Sequence, residues 1–146
     1  MRLRNGFAAV HSLLFPWWAP VVVGIGPIRY GDLDGDGHAE AAATVNCSNG
    51  GGTAAGQLRF AGVIYSVRAR TLRTLAVVAP RQPYTGPAHV PLLIATIAGG
   101  RVIAHESWYG PADGDCCASG RAHTIWRYAH GRLRVVRTVV DRPPKK

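Results

Sequence analysis

Between the apolar runs of this chain lie tight turns and proline-bearing loops, and no helical segment is available to carry one strand back beside the next in parallel. Parallel neighbours need a crossover of about a dozen residues or more, usually a helix, so these runs must pair antiparallel. After Pro20 comes Val21-Val-Val-Gly-Ile-Gly-Pro-Ile-Arg-Tyr, whose glycines and proline predict an edge or bulged strand. Ala41 to Cys47 is confined between an aspartate turn and Ser48-Asn-Gly-Gly-Gly-Thr. Phe60 to Arg70 alternates, with Val63, Tyr65 and Val67 on one parity, and Leu72 to Ala79 follows. Beyond the loop from Pro80 to Pro91, Leu92 to Ala98 and Arg101 to Tyr109 flank Gly99-Gly100, a natural hairpin turn. His123 to Tyr128 and Arg132 to Val140 flank a second turn at His130-Gly131.

The expected fold is mainly β, an antiparallel meander forming a curled sheet or a partly open barrel. At 146 residues the chain is within the usual size of one domain. The expected organisation is an N-terminal segment over residues 1–20, helical near residues 6 to 15 or incomplete, then a single mainly β domain over 21–140. A basic, flexible tail over 141–146 completes it. With 47% apolar and 17% charged residues, the chain is too apolar for general disorder and too poor in charge for a helical, salt-bridge-laced surface.

The strongest chemical signal is Gly31-Asp-Leu-Asp-Gly-Asp-Gly-His-Ala-Glu. Asp32, Asp34 and Asp36 stand at loop positions one, three and five, His38 offers its backbone carbonyl at seven, and Glu40 stands at nine. Calcium takes six to eight hard oxygen ligands, and this spacing lets alternate carboxylates converge while Gly37 permits the bend. Like charges held close repel, and a bound cation removes that cost. The turn is not an EF-hand, because position twelve is Ala43 rather than a bidentate glutamate. The expectation is a structural calcium ion; the plainer alternative is a turn in which aspartates cap their own backbone amides.

The formal charge is +9. Five arginines and no acid lie between Arg59 and Arg81, and eight basic residues face Asp141 alone between Arg121 and Lys146. Such a field suits an anionic wall polymer, an envelope protein or lipid headgroups, and it also suits plain solvation of strand faces. Nucleic acid is disfavoured, since no basic patch interleaved with aromatics and no known module is visible. Trp108, Tyr109, Trp126 and Tyr128 form a ligand surface if they are exposed, and cross-strand packing if they are not. Phe7 to Ile25 is broken by His11, Ser12, Pro16 and Pro20, which makes it a poor leader and a poorer membrane span. Taken as it stands, that start places the chain in the cytoplasm.

Cys47, Cys116 and Cys117 match no Cys-x-x-Cys motif. Cys47 with one of the adjacent pair makes a reasonable long-range disulfide, and a bridge between Cys116 and Cys117 is the alternative. Catalytic constellations can be drawn but are not compelled by spacing: the cysteine loop with His105 or His123, a zinc set of His105, His123 and Asp113, and a carboxylate pair of Glu106 and Asp113. Gly24-Ile-Gly-Pro-Ile does not make a phosphate-binding fingerprint. The expectation is that the chain is not an enzyme.

The aspartate turn, the cysteine after the next strand, Trp108-Tyr-Gly-Pro-Ala-Asp-Gly-Asp-Cys-Cys-Ala-Ser-Gly and Thr124-Ile-Trp-Arg-Tyr together resemble actinobacterial secreted or lipid-anchored proteins of the LppP/LprE lipoprotein type, over roughly Pro27 to Val139. The aspartate turn taken alone also resembles FG-GAP calcium loops. The chain departs from the lipoprotein pattern at Ala118, where proline is common, and at its start, where no lipobox stands. The resemblance implies an exported, envelope-exposed, non-enzymatic domain with no catalytic residues to carry over, and export would favour a Cys47 disulfide. It leaves the physiological ligand and the oligomeric state open.

Overall fold

The computed structural model describes residues 3–11, 20–49, 56–86 and 89–145. These residues form nine strands in chain order: β1 (Phe7–Val10), β2 (Val21–Gly31), β3 (Glu40–Ser48), β4 (Gln57–Arg68), β5 (Thr71–Val78), β6 (Leu92–Ala98), β7 (Arg101–Trp108), β8 (Gly120–Ala129) and β9 (Arg132–Arg142). Every pairing is antiparallel and joins sequence neighbours. The meander divides in two, a five-stranded sheet of β1 to β5 and a four-stranded sheet of β6 to β9. The break falls in segment 79–91, where Pro80, Pro83, Pro87 and Pro91 carry no N–H to continue a ladder. The first sheet curls as half a barrel over β6, which packs against β2, β3 and β4.

The N-terminal helix is not formed: Phe7–Val10 is a strand paired with Val21–Gly24. The cause is local. Asn5 and Gly6 both take positive φ, and Arg4 and Phe7 exchange backbone hydrogen bonds of 2.8 and 3.0 Å across them, the Asn-Gly hairpin turn. The rest of the expected helix and Trp17 and Trp18 lie outside the described residues. None of the described residues forms a helix long and apolar enough to cross a membrane. At the other end, β9 runs through Asp141 and Arg142, and the Lys145 N–H donates to Ser119 Oγ at 2.8 Å.

The core lies between the sheets, where Ala42, Ile64 and Val78 face Leu93, Ala95, Val102 and Ala104. Two glycines set how closely the layers approach. A Cβ on Gly62 would stand 2.6 Å from Ala95 Cβ and 2.7 Å from Val78 Cγ2, and one on Gly31 would stand 2.8 Å from Ile97 Cγ2. Buried Glu106 on β7 fastens the inter-sheet segment. Its Oε2 accepts from the Arg81 and Gln82 N–H groups at 2.7 and 3.1 Å, and its Oε1 accepts from Thr124 Oγ1 at 2.7 Å. Such a carboxylate satisfies polar groups that would otherwise be buried without partners.

Gly62→Ala is expected to cost about 1–3 kcal/mol, because Ala95 Cβ cannot rotate out of the way. Urea unfolding, read as a lowered midpoint at unchanged slope, checks this.

Candidate metal centre

The acidic loop bridges β2 and β3, and one apolar residue holds it in place. Leu33 is buried in the core, and its N–H donates to Glu40 Oε2 at 2.9 Å. Glu40 is itself only 1% exposed, the first residue of β3 opposite Gly31. The loop backbone is then tied by its own aspartates. Asp32 Oδ1 accepts from Gly35 N–H at 2.7 Å and Oδ2 from Gly37 N–H at 3.1 Å; both glycines have positive φ. Asp34 accepts from Asp36 N–H, and Asp36 from His38 N–H.

Asp32, Asp34 and Glu40 converge, each offering a carboxylate oxygen within 4.8 Å of the others. Two oxygens at about 2.4 Å from one calcium ion can be at most about 4.8 Å apart, so the three are close enough to share such an ion. Side-chain oxygens converge for three of the five expected ligands. Asp36 lies outside this trio, and Arg68 pairs with both it and Asp34 of the trio. The trio could bind a cation; its geometry does not select calcium over other divalent ions.

Arg68, the last residue of β4, is the participant that sequence reasoning missed. Its guanidinium pairs with both Asp34 and Asp36. The backbone N–H of His38 and then Arg68 hold Asp36 below the ordinary aspartate value, while the hydrogen bond that Arg68 donates to Asp36 raises Arg68. The signal was present in the strand register. Ala41 pairs with Tyr65, and the same register continued by three residues brings position 68 level with the loop. Four carboxylates, Asp32, Asp34, Asp36 and Glu40, set against this one guanidinium leave three negative charges, which favours a further cation.

Most of the other candidate groups have partners within the fold. Cys116 and Cys117 are bonded to each other, and Cys47 is a free, half-buried thiol, so the long-range Cys47 bridge is not formed. Asp113 Oδ2 accepts from Gly110 N–H, Ser119 N–H and Ser119 Oγ at 2.8, 2.9 and 2.8 Å. Those backbone donors hold Asp113 below the usual aspartate range. His105 and His123 face each other across β7 and β8, where His123 Nδ1 lies 3.0 Å from Asp141 Oδ2 rather than from Asp113. Glu106 and Asp113 each accept from backbone donors of their own.

The aromatic residues also pack. Trp108 and Tyr109 are buried, and the Trp108 ring lies so close over Gly120 that a Cβ there would be 2.7 Å away. Tyr109 stacks on His89 at 4.6 Å, and burial raises its hydroxyl pKa. Trp126 and Tyr128 pack against the core. In comparisons with known proteins, no family model, no curated sequence and no solved structure matches the chain.

Because Asp113 is lowered in the folded state, the stability it contributes is present above the ordinary aspartate value of 3.8 and is lost as pH falls below it. Urea midpoints from about pH 6 to about pH 2 should show this acid loss, and Asp113→Asn should be less stable at neutral pH and lack that part of the slope.

Proposed function

We propose that this chain is a non-enzymatic envelope or extracellular domain whose β2–β3 loop takes up a structural calcium ion. The observation that carries the reading is the convergence of Asp32, Asp34 and Glu40 on a loop that keeps excess negative charge. Oxygen-only ligands suit a hard cation, and a rigid hairpin loop suits a structural ion. The buried Glu40 supplies the inner ligand, while Asp32 and Asp34 close over the ion from the solvent side. Of the residues from which chemistry could be drawn, Asp113 and Glu106 accept backbone hydrogen bonds and the adjacent cysteines are bonded to each other. The likeness of the double-cysteine loop to LppP/LprE-type lipoproteins favours the envelope.

Calcium binding to the native state raises the melting temperature by mass action, about 2.7 kcal/mol at one hundred times Kd. For a chain of this size that is a rise of roughly 5–10 °C. Thermal unfolding of chelator-treated protein with and without millimolar calcium should show it, and Asp34→Asn should abolish it. Arg68→Gln should melt lower without metal and respond more strongly to calcium, since the competing guanidinium is gone. No calcium response in either background would refute the metal reading.

One observation favours a second reading, a module for an anionic envelope polymer. Arg101, Arg127 and Arg134 sit directly opposite one another across β7, β8 and β9 on the outward face of the four-stranded sheet, all exposed. Like charges in that position repel, and a polyanion laid across the strands relieves them. Because the aromatic rings point to the other side of this sheet, binding would be electrostatic. Retention on inorganic polyphosphate should therefore fall steeply with salt and fall further in Arg127→Gln; salt-independent retention would overturn the reading.

A further inference from the structure

We propose that the Cys116–Cys117 disulfide is a reversible two-electron site that exchanges with dithiols, and that its state sets how firmly the cysteine loop holds the segment joining the two sheets. The two cysteines are neighbours in the chain, so their bridge ties no distant elements together. The stabilisation that a disulfide gives through the unfolded state grows with the length of chain it closes, and this is the shortest bridge that can be made. Both residues are also exposed, and exposed disulfides are the ones open to attack by a thiolate. A bridge that staples little and stands in solvent suits exchange better than it suits holding the fold.

The loop is closed below the sulfurs by other means. Asp113 Oδ2 accepts from the N–H groups of Gly110 and Ser119 and from the Ser119 hydroxyl, and Arg121 Nη1 donates to the Ala118 carbonyl. β7 and β8 stay paired as far as Trp108 and Gly120, at the base of the loop. Opening the bridge therefore leaves the loop's ends in place and frees its tip. That tip is the turn from Gly114 to Cys117, in which the Cys117 N–H donates to the Gly114 carbonyl at 2.9 Å. Asp115 within it reaches two partners: its carbonyl accepts from the Tyr109 hydroxyl at 3.1 Å, and its carboxylate lies 3.2 Å from His89 Nε2. His89 stacks on Tyr109 and belongs to the segment between β5 and β6. The disulfide ring restricts the backbone at two of the turn's four residues, so the state of the sulfurs is transmitted through Asp115 to His89.

Adjacency also selects the reductant. A thiolate that attacks one sulfur breaks the S–S bond, forms a mixed disulfide and leaves the other cysteine as a thiolate. With a monothiol, that neighbouring thiolate attacks the mixed disulfide from one residue away, expels the reagent and closes the ring again. A dithiol carries a second sulfur of its own. This attacks the reductant's sulfur in the mixed disulfide, closes the reductant's own disulfide and releases the protein thiol, so two electrons and two protons pass from the dithiol to Cys116 and Cys117. The substrate class is therefore a dithiol–disulfide couple.

The test is thiol counting, by alkylation and mass, in buffer without denaturant. The native chain should show one thiol, that of Cys47, before millimolar dithiothreitol and three after it; Cys47→Ser should show none and then two. β-Mercaptoethanol at the same thiol concentration should open the pair at least about tenfold less, and oxidised glutathione should close it again. Reduction should lower the melting temperature by no more than about 5 °C. Amide hydrogen exchange should quicken at least about tenfold at both Cys117 and His89 while β7 and β8 keep their protection, and the double variant Cys116→Ser/Cys117→Ser should show the same pattern without reductant. A pair that opens only in denaturant, that yields equally to both reagents, that oxidised glutathione does not close, or whose opening unfolds β7 and β8 would overturn the proposal. So would faster exchange confined to the loop with His89 unchanged.

Discussion

The close approach of β6 to the inside of the five-stranded sheet is the contact on which the rest of the molecule depends. Gly62 and Gly31 leave room for Ala95 and Ile97. With those side chains seated, Leu33 closes over the end of the core and pulls the acidic loop against the protein. The carboxylates therefore converge because an apolar residue in their midst is buried. Glu106 does the corresponding work at the crossing between the sheets, gathering the amides of Arg81 and Gln82 and the Thr124 hydroxyl.

Much of the β architecture was legible in the sequence, because alternation and turn chemistry act locally. Gly99-Gly100 and His130-Gly131 both adopt positive φ as hairpin turns require. Asn5-Gly6 carries the same signal, and reading the weak helix formers that follow instead of that turn produced the expected helix. The β4–β5 turn had no such mark. Ala69 and Arg70 take φ of 49° and 62°, a conformation that L side chains adopt at a cost, and the flanking strand pairing imposes it. The division into two sheets was also hidden, since local pattern does not say which strands share hydrogen bonds across a proline-rich segment.

The candidate site was half legible for a related reason. Spacing along a loop predicts which backbone turns form, and Asp32, Asp34 and Glu40 do come together. Spacing says little about what the neighbouring strand brings, and Arg68 pairs with both Asp34 and Asp36. The cysteine loop shows the same limit. Its sequence displays acids, thiols and nearby histidines, and only the fold reveals that Asp113 is spent on Gly110 and Ser119 and that His123 meets Asp141.

Arg68 also changes what a metal means for this protein. A guanidinium carried on a strand is a counter-ion that no chelator removes and no dilution releases, so the hairpin can close during synthesis before any divalent ion arrives. The loop thus carries a built-in partner for two of its four carboxylates, and a divalent ion would add to that balance.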